Sequence, residues 1–218
     1  MKKLLSLLLV MLMLITTLAS CSLVEKFFFP KDSDPHQVTE EEWNANMNIT
    51  NFETYSYFTV TQSGETEIIE NVIFQHTENA RTIINPEDGR IFDIVALKDG
   101  VWYEVDKRDN GYEGYSYPEY TPGTVRSAAA MDDAIFANYT YNAELGAYIK
   151  QANPEDELFV GDEIQEYRVY FENKVIVKCE VVGYYVEDDG SRVDYISTVE
   201  IRNIGTTVVD VPEFTIVK

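Results

Sequence analysis

Apolar and polar residues alternate along the last third of the chain, with the period of two that is typical of strands with one buried face. The alternation is clearest over residues 164–171, 175–186 and 192–203. Turn residues separate these segments, with Glu172-Asn173-Lys174 in the first connection and Asp188-Asp189-Gly190 in the second. The pattern therefore predicts a continuous antiparallel meander of three strands.

Five earlier strands follow from the same pattern. They are predicted over residues 55–62, 66–76, 81–85, 90–97 and 101–106. Ser63-Gly64 and Asp99-Gly100 supply tight hairpin turns, and the connections are too short to contain crossover helices. We expect these strands to be antiparallel, and we expect a further short strand around residues 139–150.

Two helices are predicted beside the strands. Thr39-Glu40-Glu41-Glu42 has the spacing of a capping box, and Trp43 and Met47 lie four residues apart on one face of the helix that follows. This helix should end near Thr50-Asn51. The second helix is predicted over residues 125–136, where Ala128-Ala129-Ala130 has high helix propensity. The fold class is therefore α+β, with residues 39–218 forming one domain.

The first residues have the pattern of an export signal. Lys2 and Lys3 precede an apolar run over residues 4–18, which is shorter than the roughly 20 residues of a membrane-spanning helix. Leu18-Ala19-Ser20-Cys21 then resembles the lipobox of bacterial lipoproteins. The alternative is an ordinary secretory signal followed by a chance cysteine.

The lipobox resemblance implies a processing route. Diacylglycerol is attached to the Cys21 thiol, the chain is cut before this residue, and the new amino group often receives a further acyl chain such as palmitate. Residues 1–20 are then a signal peptide and residues 21–38 a tether. We expect the domain on the extracytoplasmic side of the plasma membrane, or on an outer membrane where the bacterium has one.

Charge narrows the range of partners. The chain has 17 Lys and Arg against 38 Asp and Glu, a net charge of −21. Nucleic acids are poor candidates because phosphate binding depends on clustered basic residues. Anionic headgroups would also be repelled, so covalent lipid at Cys21 is the expected membrane attachment. The hydrophobic fraction of 45% is nevertheless sufficient for a sizeable core.

Catalytic and metal-binding motifs are sparse in the sequence. His36 and His76 do not have metal-ligand spacing, and Cys179 lies in an apolar run that predicts a buried thiol. We expect neither an enzyme nor a cofactor. Three acidic groups are interpreted as solvated turns or exposed loops, with calcium as the alternative for the first two: Asp106, Asp109, Asn110 and Glu113; Asp188, Asp189 and Asp194; Glu155, Asp156, Glu157, Asp162 and Glu163.

A tyrosine-rich segment lies in the connection over residues 107–122. Its members are Tyr112, Tyr115, Tyr117 and Tyr120. Tyrosine gives large contact areas at low entropic cost, so the four residues are candidates for an interaction loop. The favoured alternative is an edge strand or loop whose rings cover the sheet.

The order of these elements resembles the LolA-like superfamily, which includes periplasmic lipoprotein carriers and the mycobacterial lipoproteins of the LppX and LprG kind. The resemblance covers about residues 40–217. It is carried by Trp43 followed by Asn51-Phe52, by Leu145-Gly146-Ala147-Tyr148, and by Ile204-Gly205-Thr206-Thr207 with Pro212.

This resemblance implies a strongly curved antiparallel meander, a half-barrel packed on two short helices, whose concave face is either a filled core or an apolar cavity for acyl chains. The function it implies is a non-enzymatic, membrane-anchored lipoprotein that binds a lipid or another apolar ligand. The alternative is an envelope or surface module that binds a protein partner through an acidic, tyrosine-rich face.

Overall fold

The computed structural model describes residues 34–129, 131 and 134–217. The predicted signal peptide, the predicted lipid-attachment residue Cys21 and most of the predicted tether lie outside the described residues. Neither α-helix in the described ranges is long and apolar enough to cross a membrane.

Twelve strands and two short helices make up the described part of the chain. In chain order they are α1 (Glu40–Met47), β1 (Phe52–Gln62), β2 (Glu65–His76), β3 (Ala80–Ile84), β4 (Ile91–Lys98), β5 (Val101–Arg108), β6 (Gly111–Ser116), α2 (Val125–Ala128), a 3-10 turn (Phe136–Asn138), β7 (Thr140–Asn142), β8 (Ala147–Gln151), β9 (Asp162–Glu172), β10 (Val175–Val186), β11 (Arg192–Arg202) and β12 (Thr215–Ile216).

All the strands belong to one sheet, in the order β12-β6-β5-β4-β3-β2-β1-β11-β10-β9-β8-β7. Two antiparallel meanders, β1–β6 and β7–β11, are joined where β1 pairs with β11. Only β12 pairs in parallel, with β6, among the described strands. The α+β class and the antiparallel order are confirmed, and the sheet is open, with β7 and β12 at its edges.

Three of the predicted hairpin turns are confirmed, two of them with glycine and one without. Ser63-Gly64 and Asp99-Gly100 have positive φ at both positions, as twisted two-residue hairpins require. Asn173 and Lys174 also have positive φ, at 49° and 69°, although neither is glycine. The backbone N–H of Lys174 donates to the Pro35 carbonyl (3.2 Å), and its side chain bonds to the Gln37 carbonyl. The segment preceding α1 therefore holds this turn.

Helix α1 anchors the main core. Thr39 Oγ1 accepts from the Glu42 N–H (3.2 Å) and the Glu42 side chain accepts from the Thr39 N–H (2.7 Å), so the capping box is confirmed. Trp43 and Met47 are fully buried. The helix ends at Met47, before the predicted end, because the chain must turn to start β1 at Phe52.

The second predicted helix is much shorter than the sequence indicates. Helix α2 ends at Ala128, although the sequence predicts a helix to residue 136. Met131 and Ala134 are buried, and the Ala134 carbonyl accepts from Trp43 Nε1 and from Arg126 Nη1, both at 3.1 Å. These tertiary contacts outweigh the local helix propensity of the alanines.

Two segments contain more strand structure than the sequence predicts. The prediction of a connection over residues 107–122 is wrong in its first half, because β5 continues to Arg108 and β6 pairs with it across the turn before Gly111. The strand predicted over 139–150 is instead the hairpin of β7 and β8. Asn142 Oδ1 accepts from the N–H groups of Glu144 (3.0 Å) and Leu145 (3.1 Å), which forms the turn.

Side chains alternate between two faces of the sheet. We call the face that α1 and α2 cover the helix face and the opposite one the outer face. The main core lies under the helices and includes Trp43, Phe52 and Phe171. A second cluster lies on the outer face of β4–β6, where Phe214 of the C-terminal segment packs on Tyr103 at 5.6 Å between ring centroids.

Candidate functional site

The helices cover only part of the helix face, and the remainder forms an open groove of about 570 Å³. This volume is in the range of small-molecule sites. We call it the sheet groove. Its lining residues come from β1, β2, β10, β11 and the loop before β9: Ser56, Tyr57, Phe58, Ile69, Val72, Leu158, Phe159, Tyr185 and Ser197.

Two serines lie in the floor of the groove. Ser56 lies opposite Val72 on β2 and Val199 on β11, and Ser197 lies opposite Phe58. Because side chains alternate along a strand, these residues share the helix face with the buried Phe52. Small side chains at Ser56 and Ser197 leave the space that larger core residues fill under the helices.

A β-bulge shapes one wall of the groove. The register between β1 and β2 shifts between Phe58 and Thr59, which leaves Ile69 without a directly opposed residue. A bulge bends its strand locally and redirects the side chains around it. Ile69 lines the groove and is 54% exposed, so the bulge places an apolar side chain at the opening.

The loop before β9 forms the other wall and is anchored by one carboxylate. Asp162 accepts from the N–H groups of Leu158 (3.1 Å) and Phe159 (3.4 Å) and from the Tyr195 hydroxyl. The Phe159 ring lies 5.4 Å from that of Tyr195 and 6.0 Å from that of Phe58. The interpretation of Asp162 as an exposed loop acid is wrong, since it is only 4% exposed.

Tyr195 links this anchor to the sheet. Burial, and then its hydrogen bond to Asp162, raise the pKa of its hydroxyl, so Tyr195 remains a neutral donor. The ring lies against Gly183, where an added Cβ would be 2.5 Å from the Tyr195 oxygen and 2.7 Å from the Glu163 carbonyl oxygen. Any side chain at position 183 would therefore displace the anchor.

Two buried polar groups lie on the helix face beyond the inner end of the groove. Thr54 Oγ1 and His76 Nε2 have no hydrogen-bond partner within the described residues. The His76 ring stacks on Phe52 with 4.7 Å between centroids. Burial, with a smaller contribution from the charge of Arg81, lowers the pKa of His76 to about 4.

The four tyrosines proposed as an interaction loop are separated by the fold. Tyr112 and Tyr115 belong to β6 and point to opposite faces, so the prediction of a loop is wrong for both. Tyr112 packs on the cluster around Phe214, and the Tyr115 hydroxyl donates to Glu113 (2.6 Å). Tyr117 and Tyr120 follow β6 and contact each other, with Tyr120 also 4.7 Å from the Trp102 ring.

Several acidic side chains of these predicted turns form ion pairs with neighbouring arginines. Arg108 bonds to Asp106 (2.8 Å) and to Glu113 (3.2 Å), and Arg192 pairs with Asp194 at 2.6 Å. Within residues 34–129 and 134–217, no group of three or more His, Cys, Asp or Glu side chains is arranged to hold a metal ion.

Cys179 has the predicted environment of a structural residue. It is 1% exposed in the main core, and burial raises the pKa of its thiol to about 12. The thiol is therefore protonated at neutral pH and unsuited to nucleophilic attack. His36 lies at the surface of the same core, with Nδ1 2.6 Å from the Phe171 carbonyl oxygen.

The sequence alone does not identify the groove residues. Ser56 and Ser197 are ordinary strand residues, and the pairing of β1 with β11 brings them together over a long chain separation. One local signal is available, because Leu158-Phe159-Val160 is an apolar triplet within an acidic loop. Such a triplet is unusual for a solvated loop and indicates a contact surface.

The chain is similar to known proteins at the level of structure. No family model and no curated protein matches the chain. The fold is similar to the crystal structure of a DUF1329 family protein from Desulfovibrio piger ATCC 29098, with 8% sequence identity and a TM-score of 0.24. That similarity covers 78% of this chain and 92% of the other.

Proposed function

We propose that this protein is a membrane-anchored, extracytoplasmic bacterial lipoprotein that binds a lipid or another apolar ligand in the sheet groove. The observation that carries the proposal is the groove itself, an opening of about 570 Å³ lined mainly by apolar side chains on the same sheet face as the core. Apolar area removed from water there stabilises a complex by about 25 cal/mol per Å².

The proposal includes a LolA-like, strongly curved sheet whose helix face is concave. Its support is the distribution of apolar side chains on that face. The main core lies on one side of the groove, and a cluster of Val60, Val193 and Tyr195 lies on the other. A concave face between two packed clusters would surround an acyl chain on several sides.

A non-enzymatic role is part of the same proposal. The one free cysteine of the described chain is buried and protonated, and the buried carboxylate beside the groove, Asp162, already accepts hydrogen bonds from two backbone N–H groups and a tyrosine. Binding alone accounts for such a groove.

Filling the groove floor should weaken the binding of a neutral apolar probe. Ser197→Phe places a ring where the wild-type floor is open, so the affinity for N-phenyl-1-naphthylamine should fall roughly tenfold or more. The measurement is probe fluorescence with the full-length protein in phosphatidylcholine nanodiscs, after subtraction of empty nanodiscs.

The matched control is Thr59→Phe, which adds the same side chain on the same sheet but on the outer face. Its probe affinity should equal that of the wild type. Circular dichroism of both variants verifies that the sheet is intact. Equal probe binding by Ser197→Phe and the wild type would refute the assignment of the ligand site to the groove.

Lipid attachment at Cys21 has a separate test. Cys21→Ala removes the acceptor thiol, so we expect a folded protein released into the medium or the periplasm, whereas the wild type fractionates with membranes. A variant that remains bound to membranes would contradict the proposal and direct attention to residues Phe27, Phe28 and Phe29, which lie outside the described residues.

A further inference from the structure

The opening of the sheet groove combines exposed apolar side chains with acidic ones. We define the groove rim as residues 62–69, 155–163 and 186–191, which meet where the β1–β2 and β10–β11 hairpins end. Gln62 Nε2 donates to Ser191 Oγ (3.2 Å) and so links the two hairpins. Three exposed apolar side chains of the rim line the groove, Ile69, Leu158 and Phe159, and Val160 in the same loop as the last two is also exposed.

The rim is negatively charged throughout. It contains no lysine or arginine, and its exposed acids are Glu65, Glu67, Glu155, Glu157, Glu163, Glu187, Asp188 and Asp189. Arg192, just beyond the rim, is already paired with Asp194 at 2.6 Å. On the outer face, by contrast, acids alternate with bases, as in the pairs Arg168–Glu166 and Lys178–Glu180, both at 2.6 Å.

We infer that the ligand of the sheet groove is an amphiphile with a positively charged headgroup, whose apolar chain lies in the groove and whose head lies at the acidic rim. This inference rests on the proposed function and specifies the ligand class. A cleft of low polarity surrounded by charges of one sign concentrates their potential at its opening. A cationic head is attracted there, and an anionic head of the same chain length is repelled.

The orientation of the ligand follows from the two ends of the groove. Its inner end approaches the fully buried Thr54 and the core under α1, where a charged head would lose its hydration. Its outer end opens between Ile69 and Phe159, beside the acidic hairpins. An apolar chain therefore enters first, and the head remains solvated among the rim carboxylates.

The test compares amphiphiles that have the same saturated chain length and differ in the charge of the head. Dodecyltrimethylammonium, dodecyl maltoside and dodecyl sulfate compete with N-phenyl-1-naphthylamine for the full-length protein in phosphatidylcholine nanodiscs, each below its critical micelle concentration. At about 0.01 M salt we expect the cation to displace the probe at about tenfold lower concentration than dodecyl sulfate. At about 1 M salt, where the Debye length is about 3 Å, the difference should disappear.

The rim variant Glu65→Gln/Glu67→Gln/Asp188→Asn should reduce the preference for the cation about threefold, because it removes three rim charges. It retains Glu187 and Asp189, which accept from the Ser191 hydroxyl (3.3 Å) and backbone N–H (2.8 Å) and hold the turn. The matched control Glu78→Gln/Asp99→Asn/Glu172→Gln removes as many exposed charges at the opposite end of the sheet and should retain the full preference.

The outcomes separate the two proposals. If dodecyl maltoside fails to displace the probe, the proposed function is wrong. If all three amphiphiles displace it equally at low salt, the groove binds apolar chains but the inference about the headgroup is wrong. Loss of the preference in the control as well as in the rim variant would also refute it, because the net charge of the whole protein would then be the cause.

Discussion

Trp43→Ala should lower the free energy of unfolding by about 3–5 kcal/mol, the usual cost of removing a fully buried tryptophan. The Trp43 ring contacts four aromatic rings at centroid distances from 4.8 to 5.7 Å, those of Phe136, Tyr139, Tyr148 and Phe171. Its Nε1 donates to the Ala134 carbonyl at 3.1 Å. One side chain therefore connects α1, the segment after α2 and the sheet.

Urea denaturation followed by far-UV circular dichroism measures this loss. Trp43→Phe is the matched control, since it retains an aromatic ring but loses the N–H and part of the volume. We expect the control to lose roughly half as much stability as Trp43→Ala. A loss below about 1 kcal/mol for Trp43→Ala would show that α1 is not a structural part of the core.

Acid should destabilise the protein through His76. Burial lowers the folded-state pKa of His76 to about 4, against 6.5 for the unperturbed side chain. Between these values the unfolded chain binds a proton that the folded chain does not, so the free energy of unfolding falls as the pH falls. The contribution is fully present above pH 6.5 and is lost progressively as the pH approaches 4. A shift of this size corresponds to about 3 kcal/mol.

His76→Phe isolates this contribution from that of the carboxylates. The variant retains a flat ring to stack on Phe52 but cannot bind a proton. The free energy of unfolding from urea titrations should fall by about 3 kcal/mol less in the variant than in the wild type between neutral pH and pH about 4. Parallel pH profiles for the two proteins would contradict the burial of a neutral His76.

The parts of the fold that local chemistry determines could be predicted from the sequence. The capping box at Thr39 and the turn at Ser63-Gly64 each depend on neighbouring residues, and both occur as predicted. The three strands β9–β11 follow from the period of two alone.

Features that depend on distant residues could not be predicted in this way. The length of α2 is limited by the hydrogen bond from Trp43 to the Ala134 carbonyl, and these two residues are far apart in the sequence. The alanine run by itself does not indicate this contact. The groove requires β1 to pair with β11, since this pairing brings Ser56 and Ser197 onto one floor. The residue pattern within β1 or β11 does not indicate that these two strands pair with each other.

The acidic residues of the rim can be found in the sequence, but the sequence does not show that they lie together around exposed apolar side chains. Glu157 and Asp188 lie in two separate segments, each of which is interpreted locally as solvated surface, and Glu65 begins the strand after the turn at Ser63-Gly64. The sheet order brings these segments to one end and places exposed Ile69 and Val160 among them. The combination, rather than any single segment, distinguishes this end of the sheet from an ordinary charged surface.

Chemical-shift mapping is the most direct test of the proposed ligand site. The full-length protein, labelled with ¹⁵N and ¹³C-methyl groups in phosphatidylcholine nanodiscs, is titrated with dodecyl maltoside. We expect the largest shifts at Val72, Phe159 and Ser197, with the outer-face residues Thr59 and Tyr103 unchanged. Shifts confined to the outer face, or none at the groove at saturation of the probe assay, would contradict the proposed ligand site.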